Sequence, residues 1–448
     1  METYILLQKT ADPDPLMQHS IPKGVFDILP QDPDPQNEWR NSSRWQYMED
    51  LIRQTCSAYG YKEIRTPIFE KTELFIRGVG EGSDIVCKEM YTFTDKGERS
   101  MTLRPEGTAS LMRAFVEKKL YTQHTLHKYF YIGPMFRYER PQAGRYRQFH
   151  QFGIEAIGID KPEQDAEIID LICHLYTKLG IHNLTVMINS VGGEESRLQF
   201  IKALKDFLEP KLDLLSSDSK IRFHKNVLRI LDSKDPADQT ILEQAPSILD
   251  FLTAEDQSHF RKVCEILNRL GIAYTINPRL VRGLDYYTKT VFEIISSDLG
   301  AQNSIGGGGR YDGMTEALGG PNLPSVGFAT GLERVLQTMD QQKVFFPAQP
   351  HPFLYLIPIG EAAKDFCFNI TSQMRHLNIP CEIDLSGKKI QQCLQMANHL
   401  QAEFCIIIGD QELETQRAQI KNLNTRTSFE AGLQELSSKI LEMRKSNV

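Results

Sequence analysis

The chain has 448 residues, 41% of them hydrophobic and 24% charged, with 51 Lys and Arg against 58 Asp and Glu for a net charge of −7. That length predicts two or three domains with sizeable cores, in a composition ordinary for a soluble globular protein. The acidic total argues against coating nucleic acid through the protein's overall field, although a local basic patch stays open.

Eight cysteines, at 56, 87, 173, 264, 367, 381, 393 and 405, form no CxxC pair and no metal-like spacing, which predicts reduced thiols in a cytoplasmic protein and no metal site. No apolar run approaches membrane-span length, and METYILLQKT lacks the leading positive charge of a secretory signal. Residues 1–20 read as an N-terminal extension.

From Asp34 the spacing predicts a helix, with Pro35 at its first position, an apolar series from Trp39 to Tyr59 and Gly60 as the C′ glycine. A strand from Tyr61 to Phe69 follows, with Pro67 placing it at an edge or interface. At 102–109, TLRPEGTA, a strand hands over to a helix running to about Lys119. Pro162 opens and Gly180 closes another helix. Residues 193 to about 258 turn Glu-, Lys-, Asp-, Ser- and Leu-rich with helical periodicity, as a helical insertion would. Strand-like residues return at Ala273–Ile276 and Thr290–Ile295. The run SIGGGGRYDG, 304–313, reads either as a glycine floor under a planar ligand or as a flexible loop. SVGFATGLERVLQTM, 325–339, reads as strand, turn and amphipathic helix. A Pro-bearing linker, 341–352, leads to alternating strands and helices over 353–448, with a polar strand near 416–423 and a final helix from 429. That alternation predicts a small, mainly parallel sheet.

The stretch Gly133–Glu155 reads as a hairpin with Pro141 and Gly144 turning its loop. Period two puts Arg147, Phe149, Gln151, Gly153 and Glu155 on one face, and the missing side chain at Gly153 would let a ligand lie on the backbone. Arg137, Arg140, Arg145 and Arg147 stand against Glu139 alone; guanidinium forks suit phosphate, although a solvated basic hairpin is the plainer alternative. Glu106, after Pro105, either complements a helix dipole or, with Gln151 and Glu155, grips an ammonium group, with Thr108 adding a hydroxyl. In RGLDYY, 282–287, strand geometry would turn Tyr286 and Tyr287 to opposite faces, and Arg282 either makes a local pair with Asp285 or would offset charge at phosphorus. The glycine run fits neither a P-loop nor GxGxxG. His150 falls on the face opposite Gln151, and no histidine is assigned as a base or ligand.

FRYER–loop–RYRQFHQFGIE resembles motif 2 of the class II aminoacyl-tRNA synthetases, GLERV resembles motif 3, and the helix before Pro67 resembles the dimer-interface motif 1. RGLDYY and GGGRYDG resemble the two signature peptides of the histidyl-tRNA synthetase family, over roughly residues 21–448. The resemblance implies an α+β catalytic domain on an antiparallel sheet at 21–340 and an anticodon-binding α/β domain at 353–448. It implies a homodimer that ligates histidine to tRNA(His) through an adenylate, with ATP and magnesium entering together. By position it implies histidine binding by Glu106, Gly107, Thr108, Arg137, Gln151, Glu155, Arg282, Tyr286 and Tyr287, with Arg137 and Arg282 also the catalytic cations on the α-phosphate. ATP would meet Arg137, Glu139, Arg145, Phe149 and Arg334, and the tRNA acceptor end would meet Arg140 and Gln142. Two alternatives share the pattern: a synthetase-like regulatory subunit of ATP phosphoribosyltransferase, and a class II synthetase for another amino acid.

Overall fold

A computed structural model describes residues 20–80, 83, 85–140, 144–282, 286–297, 304–347 and 349–446; the extension expected before residue 20 lies almost wholly outside these. The chain divides into two compact units, Met1–Phe346 and Pro347–Val448.

In the first unit the strands are β1 (Lys62–Glu63), β2 (Phe69–Lys71), β3 (Tyr91–Thr94), β4 (Ser100–Leu103), β5 (His127–Phe136), β6 (Gln148–Ile157), β7 (Leu184–Ser190), β8 (Tyr274–Ile276), β9 (Thr288–Ser296), β10 (Ser304–Arg310) and β11 (Ser325–Gly331). Its helices are α1 (Ser42–Ala58), α2 (Thr72–Val79), α3 (Thr108–Glu117), α4 (Pro162–Lys178), α5 (Glu194–Leu208), α6 (Ser217–Lys225), α7 (Pro236–Leu242), α8 (Ala254–Arg269), α9 (Met314–Ala317) and α10 (Leu332–Gln341).

An eight-stranded sheet in the order β1-β5-β6-β11-β10-β9-β7-β8 organises the unit. Its central pairs are antiparallel, and only the edge strands β1 and β8 pair in parallel. This is the α+β, antiparallel fold class expected. Period two gives the sheet two unlike faces. Phe130, Phe152, Ile154, Val326, Phe328, Phe292 and Ile188 point one way, into a core shared with apolar residues of α1, α4, α8 and α10. The other face holds the cleft, flanked by a second core of α2, α3 and the insertion.

Two expected elements of this unit differ, and one left open is decided. The helix expected from Asp34 is broken: Pro35–Arg40 form a 3-10 turn, and Asn41 is extended (φ −61°, ψ 126°) before α1 begins. The Asn41 side chain accepts from Asp32 N at 2.7 Å, the local competition with helical hydrogen bonding for which Asn is suited. The strand expected over 61–69 is two short strands in different sheets, β1 in the large sheet and β2 in a three-stranded one with β4 and β3. Between them the carbonyl of Thr66 is taken by Arg104 Nη1 at 2.9 Å and Pro67 has no N–H to offer. The glycine run is a strand, β10, and not a flexible loop.

The second unit contains β12 (Leu354–Pro358), α11 (Glu361–His376), β13 (Cys381–Ile383), α12 (Ile390–His399), β14 (Phe404–Ile408), α13 (Asp410–Thr415), β15 (Arg417–Asn422), β16 (Ser428–Gly432) and α14 (Leu436–Ser446). Its sheet runs β13-β12-β14-β15-β16, parallel among the first three and antiparallel at β15 and β16. The helix expected from 429 therefore starts later, because Ser428–Gly432 pair with β15 as a fifth strand. Among the described residues no helix is long and apolar enough to cross a membrane.

Candidate active site

The cleft, about 490 Å³, opens on the sheet face left free by the core and is lined by β6, β9, β10, β11 and the segment before α3. Strand register builds its floor. Glu155 pairs with Gly327, Gly153 with Ala329 and Gln151 with Gly331, while Gly307 stands opposite both Ala329 and Glu293. A Cβ at Gly327 would collide with the Glu155 carboxylate, and one at Gly307 with the Arg282 guanidinium. Small residues on β10 and β11 thus make room for charged groups carried by their neighbours.

Gly153 has a different use from the one expected. The space beside it is filled by the ring of Tyr131, its cross-strand partner, which also occupies the space beside Gly107. Tyr131 is buried, and its hydroxyl donates to Gln151 Oε1 at 3.3 Å. Gly107 lies beneath the cleft surface, its N–H donating to the same oxygen at 3.0 Å.

Two buried carboxylates sit at the inner end. Glu106 accepts from Thr108 N at 2.7 Å and from Ala109 N at 2.8 Å, so it caps α3 while it also lines the cleft. Burial raises its pKa, against the pull of those N–H groups. Glu155 accepts from Thr108 Oγ1 at 2.7 Å and from the hydroxyl of Tyr311. Burial pushes Glu155 up to about 8, outweighing both hydroxyls, and the nearby charge of Glu106 adds to the rise. Tyr286 and Tyr287 both line this end, with ring centroids 4.7 Å apart. They precede β9 and lie outside any strand, so strand alternation does not separate them.

Cations line the outer part. Arg137 Nε donates to the Pro105 carbonyl at 2.8 Å, and its guanidinium lies 5.1 Å from the Phe149 ring centroid. Glu139 faces Arg145 at 3.3 Å, and its Oε2 is buried without a hydrogen bond. Arg334, on α10, donates to the Ser304 carbonyl at 2.6 Å and reaches the cleft beside Gly144. Arg282 pairs with Glu293 across the cleft.

Of the residues singled out from sequence, Glu106, Thr108, Arg137, Glu139, Arg145, Phe149, Gln151, Glu155, Arg282, Tyr286, Tyr287 and Arg334 meet in this one cleft. Arg140 is exposed and does not line it; Gln142 lies outside the described residues, as do residues 283–285 of RGLDYY. Arg147 is also absent from the lining: it precedes β6, and its guanidinium stacks 4.2 Å from the Tyr138 ring centroid. His150 points away, paired through Nδ1 with Glu333 at 3.0 Å.

Several residues went unassigned from sequence. Tyr311 grips Glu155, Glu293 holds Arg282, and Arg104 ties Pro134 to Thr66 through bonds of 2.9 Å each. Arg310, fully buried, pairs with Asp165 of α4 and so anchors the strand end that carries Tyr311. Tyr311 and Arg310 stand within the peptide GGGRYDG, which was a usable signal; Arg104 and Glu293 carried none.

A family model described as histidyl-tRNA synthetase matches residues 31–335, and one described as an anticodon binding domain matches 354–443. The histidine–tRNA ligase of Protochlamydia amoebophila is 55% identical over 421 residues, covering 94% of this chain and 99% of that protein. The Bacillus subtilis histidine–tRNA ligase is 47% identical, covering 94% and 97%. The crystal structure of apo Staphylococcus aureus histidyl-tRNA synthetase superposes with a TM-score of 0.80 at 38% identity, over 94% of this chain and 100% of that one.

Proposed function

Because the chain belongs to the histidyl-tRNA synthetase family, and so ligates L-histidine to tRNA(His) through a histidyl-adenylate formed from ATP, we propose the following division of labour in its cleft. Histidine occupies the inner end. Its ammonium faces Glu106, Gln151 and Glu155, with Gly107 and Thr108 shaping the wall, and its imidazole meets Tyr287 beside Tyr286. The buried hydroxyls and carboxylates there favour a ligand with two polar ring nitrogens, since an apolar isostere would leave them unpaired.

ATP occupies the outer end, against Arg137, Glu139, Arg145, Phe149 and Arg334, with adenine stacked on Phe149. A histidine carboxylate oxygen then bonds to the α-phosphorus as the bond to pyrophosphate breaks. Arg137 and Arg282 take up the charge that develops there, Arg282 exchanging Glu293 for phosphate. In the second step a terminal ribose hydroxyl of tRNA takes the acyl group and AMP leaves. Magnesium would enter with ATP at the outer end: the Glu139 carboxylate, whose Oε2 faces Arg145 at 3.3 Å without a hydrogen bond, would join the ATP phosphates in holding the ion, which would neutralise pyrophosphate as a leaving group.

Arg140 and Gln142 are assigned to the tRNA acceptor end on the motif 2 resemblance alone. The domain reading is a catalytic domain at 21–340 with its insertion at about 193–258, a linker at 341–352 and an anticodon-binding domain at 353–448, supported by the two matched stretches and by the division after Phe346. A cytoplasmic homodimer completes the reading, from the motif 1 resemblance and the free thiols.

The observation that carries this assignment is the one cleft in which four arginines, Arg137, Arg145, Arg282 and Arg334, accompany two buried carboxylates above a glycine floor. Exchange of pyrophosphate into ATP, run with each standard amino acid and no tRNA, tests it. Histidine alone should support exchange. Silence together with calorimetric binding of histidine would move the chain to the regulatory class.

A further inference from the structure

A second cavity, of about 380 Å³, lies between the helical insertion and the segment carrying Arg282. Its lining is divided by chemistry. Ile201, Phe223 and Val227 give it an apolar side, while Arg197, Lys205, Lys225 and Arg229 give it a cationic one, and no carboxylate lines it. Arg197, Ile201 and Lys205 are four residues apart on α5, so one helix face presents all three. This charge is local: residues 193–258 contain nine Lys and Arg against thirteen Asp and Glu, yet none of those acids lines the cavity.

Arg282 and Tyr287 line this cavity and the reaction cleft alike. Arg197 Nη1 donates to the Tyr287 carbonyl at 3.0 Å, which tethers the backbone of a cleft residue to the cavity wall. Arg282 commits Nη1 to Glu293, while its buried Nε has no hydrogen-bond partner. An anion held by the cavity therefore competes for a guanidinium that the reaction needs and for the tether that positions Tyr287.

We propose that the cavity is a regulatory site for a small aromatic phosphate monoester, a nucleotide in class, whose flat body lies on the apolar side and whose phosphate engages the cationic one. Guanidinium and ammonium groups select the phosphate, and the Phe223 side accepts a ring. Occupancy slows adenylate formation by drawing Arg282 and Arg197 from their present partners.

Phenyl phosphate is the probe, with inorganic phosphate as its control, on the full chain and on the double variant Lys205→Glu/Lys225→Glu. Both lysines are exposed, and neither belongs to the reaction cleft. Phenyl phosphate should inhibit histidine-dependent pyrophosphate exchange of the unsubstituted chain in a manner that excess ATP and histidine do not relieve. The double variant should keep its uninhibited rate within about twofold and bind phenyl phosphate at least tenfold more weakly by calorimetry. Inhibition fully relieved by ATP, equal binding to both proteins, or no binding to either would overturn the proposal. So would a variant whose one defect is a raised KM for tRNA, which would give the cavity to nucleic acid. Absence of exchange in the unsubstituted chain without any probe would instead remove the ligase reading, and calorimetry would still decide the cavity.

Discussion

The hydroxyl of Tyr311 donates to the carboxylate of Glu155, although the two residues lie 156 positions apart in the chain. Burial nevertheless pushes Glu155 up to about 8, from an ordinary 4.5, so the fold favours its neutral form. The sign follows: this group's contribution to stability is full below about 4.5 and is lost as pH rises through about 8. A substrate ammonium beside it would reverse the preference and expel the proton. Histidine binding at pH 7 should therefore release a large fraction of one proton, read as a dependence of binding enthalpy on buffer ionisation enthalpy. Glu155→Gln should remove that release. Binding enthalpies that match across buffers would show that Glu155 does not meet the ammonium.

Arg282 stands over Gly307 and pairs with Glu293, and as a positive charge at the α-phosphorus it acts where charge develops. Removing one such preorganised donor costs about 10²- to 10³-fold in rate. Arg282→Ala should depress single-turnover adenylate formation by at least that factor. Its thermal midpoint should move little, because Glu293 is only partly buried and can be hydrated once unpaired. An unchanged rate would sink the catalytic role.

Arg310 and Asp165 are fully buried and paired, with His259 Nε2 3.5 Å from the same carboxylate. Burial opposes the charge on Asp165, yet Arg310 and then His259 hold its carboxyl below the usual range. Asp165→Ala removes the fully buried partner of that guanidinium and leaves it Asp312 at 3.3 Å and the carbonyls of Ile159 and Lys161, so the cost should approach that of a broken buried pair, about 3–5 kcal/mol. Thermal denaturation should show a marked fall in Tm, and KM for histidine should rise at temperatures where the variant remains folded, since Arg310 anchors Tyr311. A Tm within a degree or two of the parent would mean that water reaches this pair.

What the sequence disclosed was what short-range chemistry determines. The β5–β6 hairpin is legible because its alternation and its turn residues are local, and α4 because Pro162 and Gly180 mark its ends. Asn41 was misread because its side chain competes with a helix through contacts to Asp32 that a periodicity cannot reveal. The strand Ser428–Gly432 was misread as helix because its partner, β15, decides its state. At the site, Arg334 alone meant little and became significant through the motif resemblance. Gly153 showed the opposite failure: its missing side chain was visible, but the Tyr131 ring that needs the space comes from the facing strand. Glu293 and Arg104 belong to no recognisable pattern, and only the assembled sheet brings them to Arg282 and to Thr66.

The division of the chain after Phe346 gives a test of which half carries which step. Val344 and Phe346 pack on the first unit's core, so a cut at residue 340 would strip its surface, and truncation is better placed at 347. The arginines and carboxylates of the cleft all precede that cut, and 347–448 has its own sheet and its own core. Deleting 347–448 should therefore leave histidine-dependent pyrophosphate exchange within about an order of magnitude of the full chain. Charging of tRNA(His) should fall far more, through KM for tRNA, because the stretch matched to an anticodon binding domain is gone. If exchange and charging fall together and the truncated chain unfolds at a lower temperature, the second unit supports the fold of the first. If charging survives, tRNA recognition rests on the first unit alone.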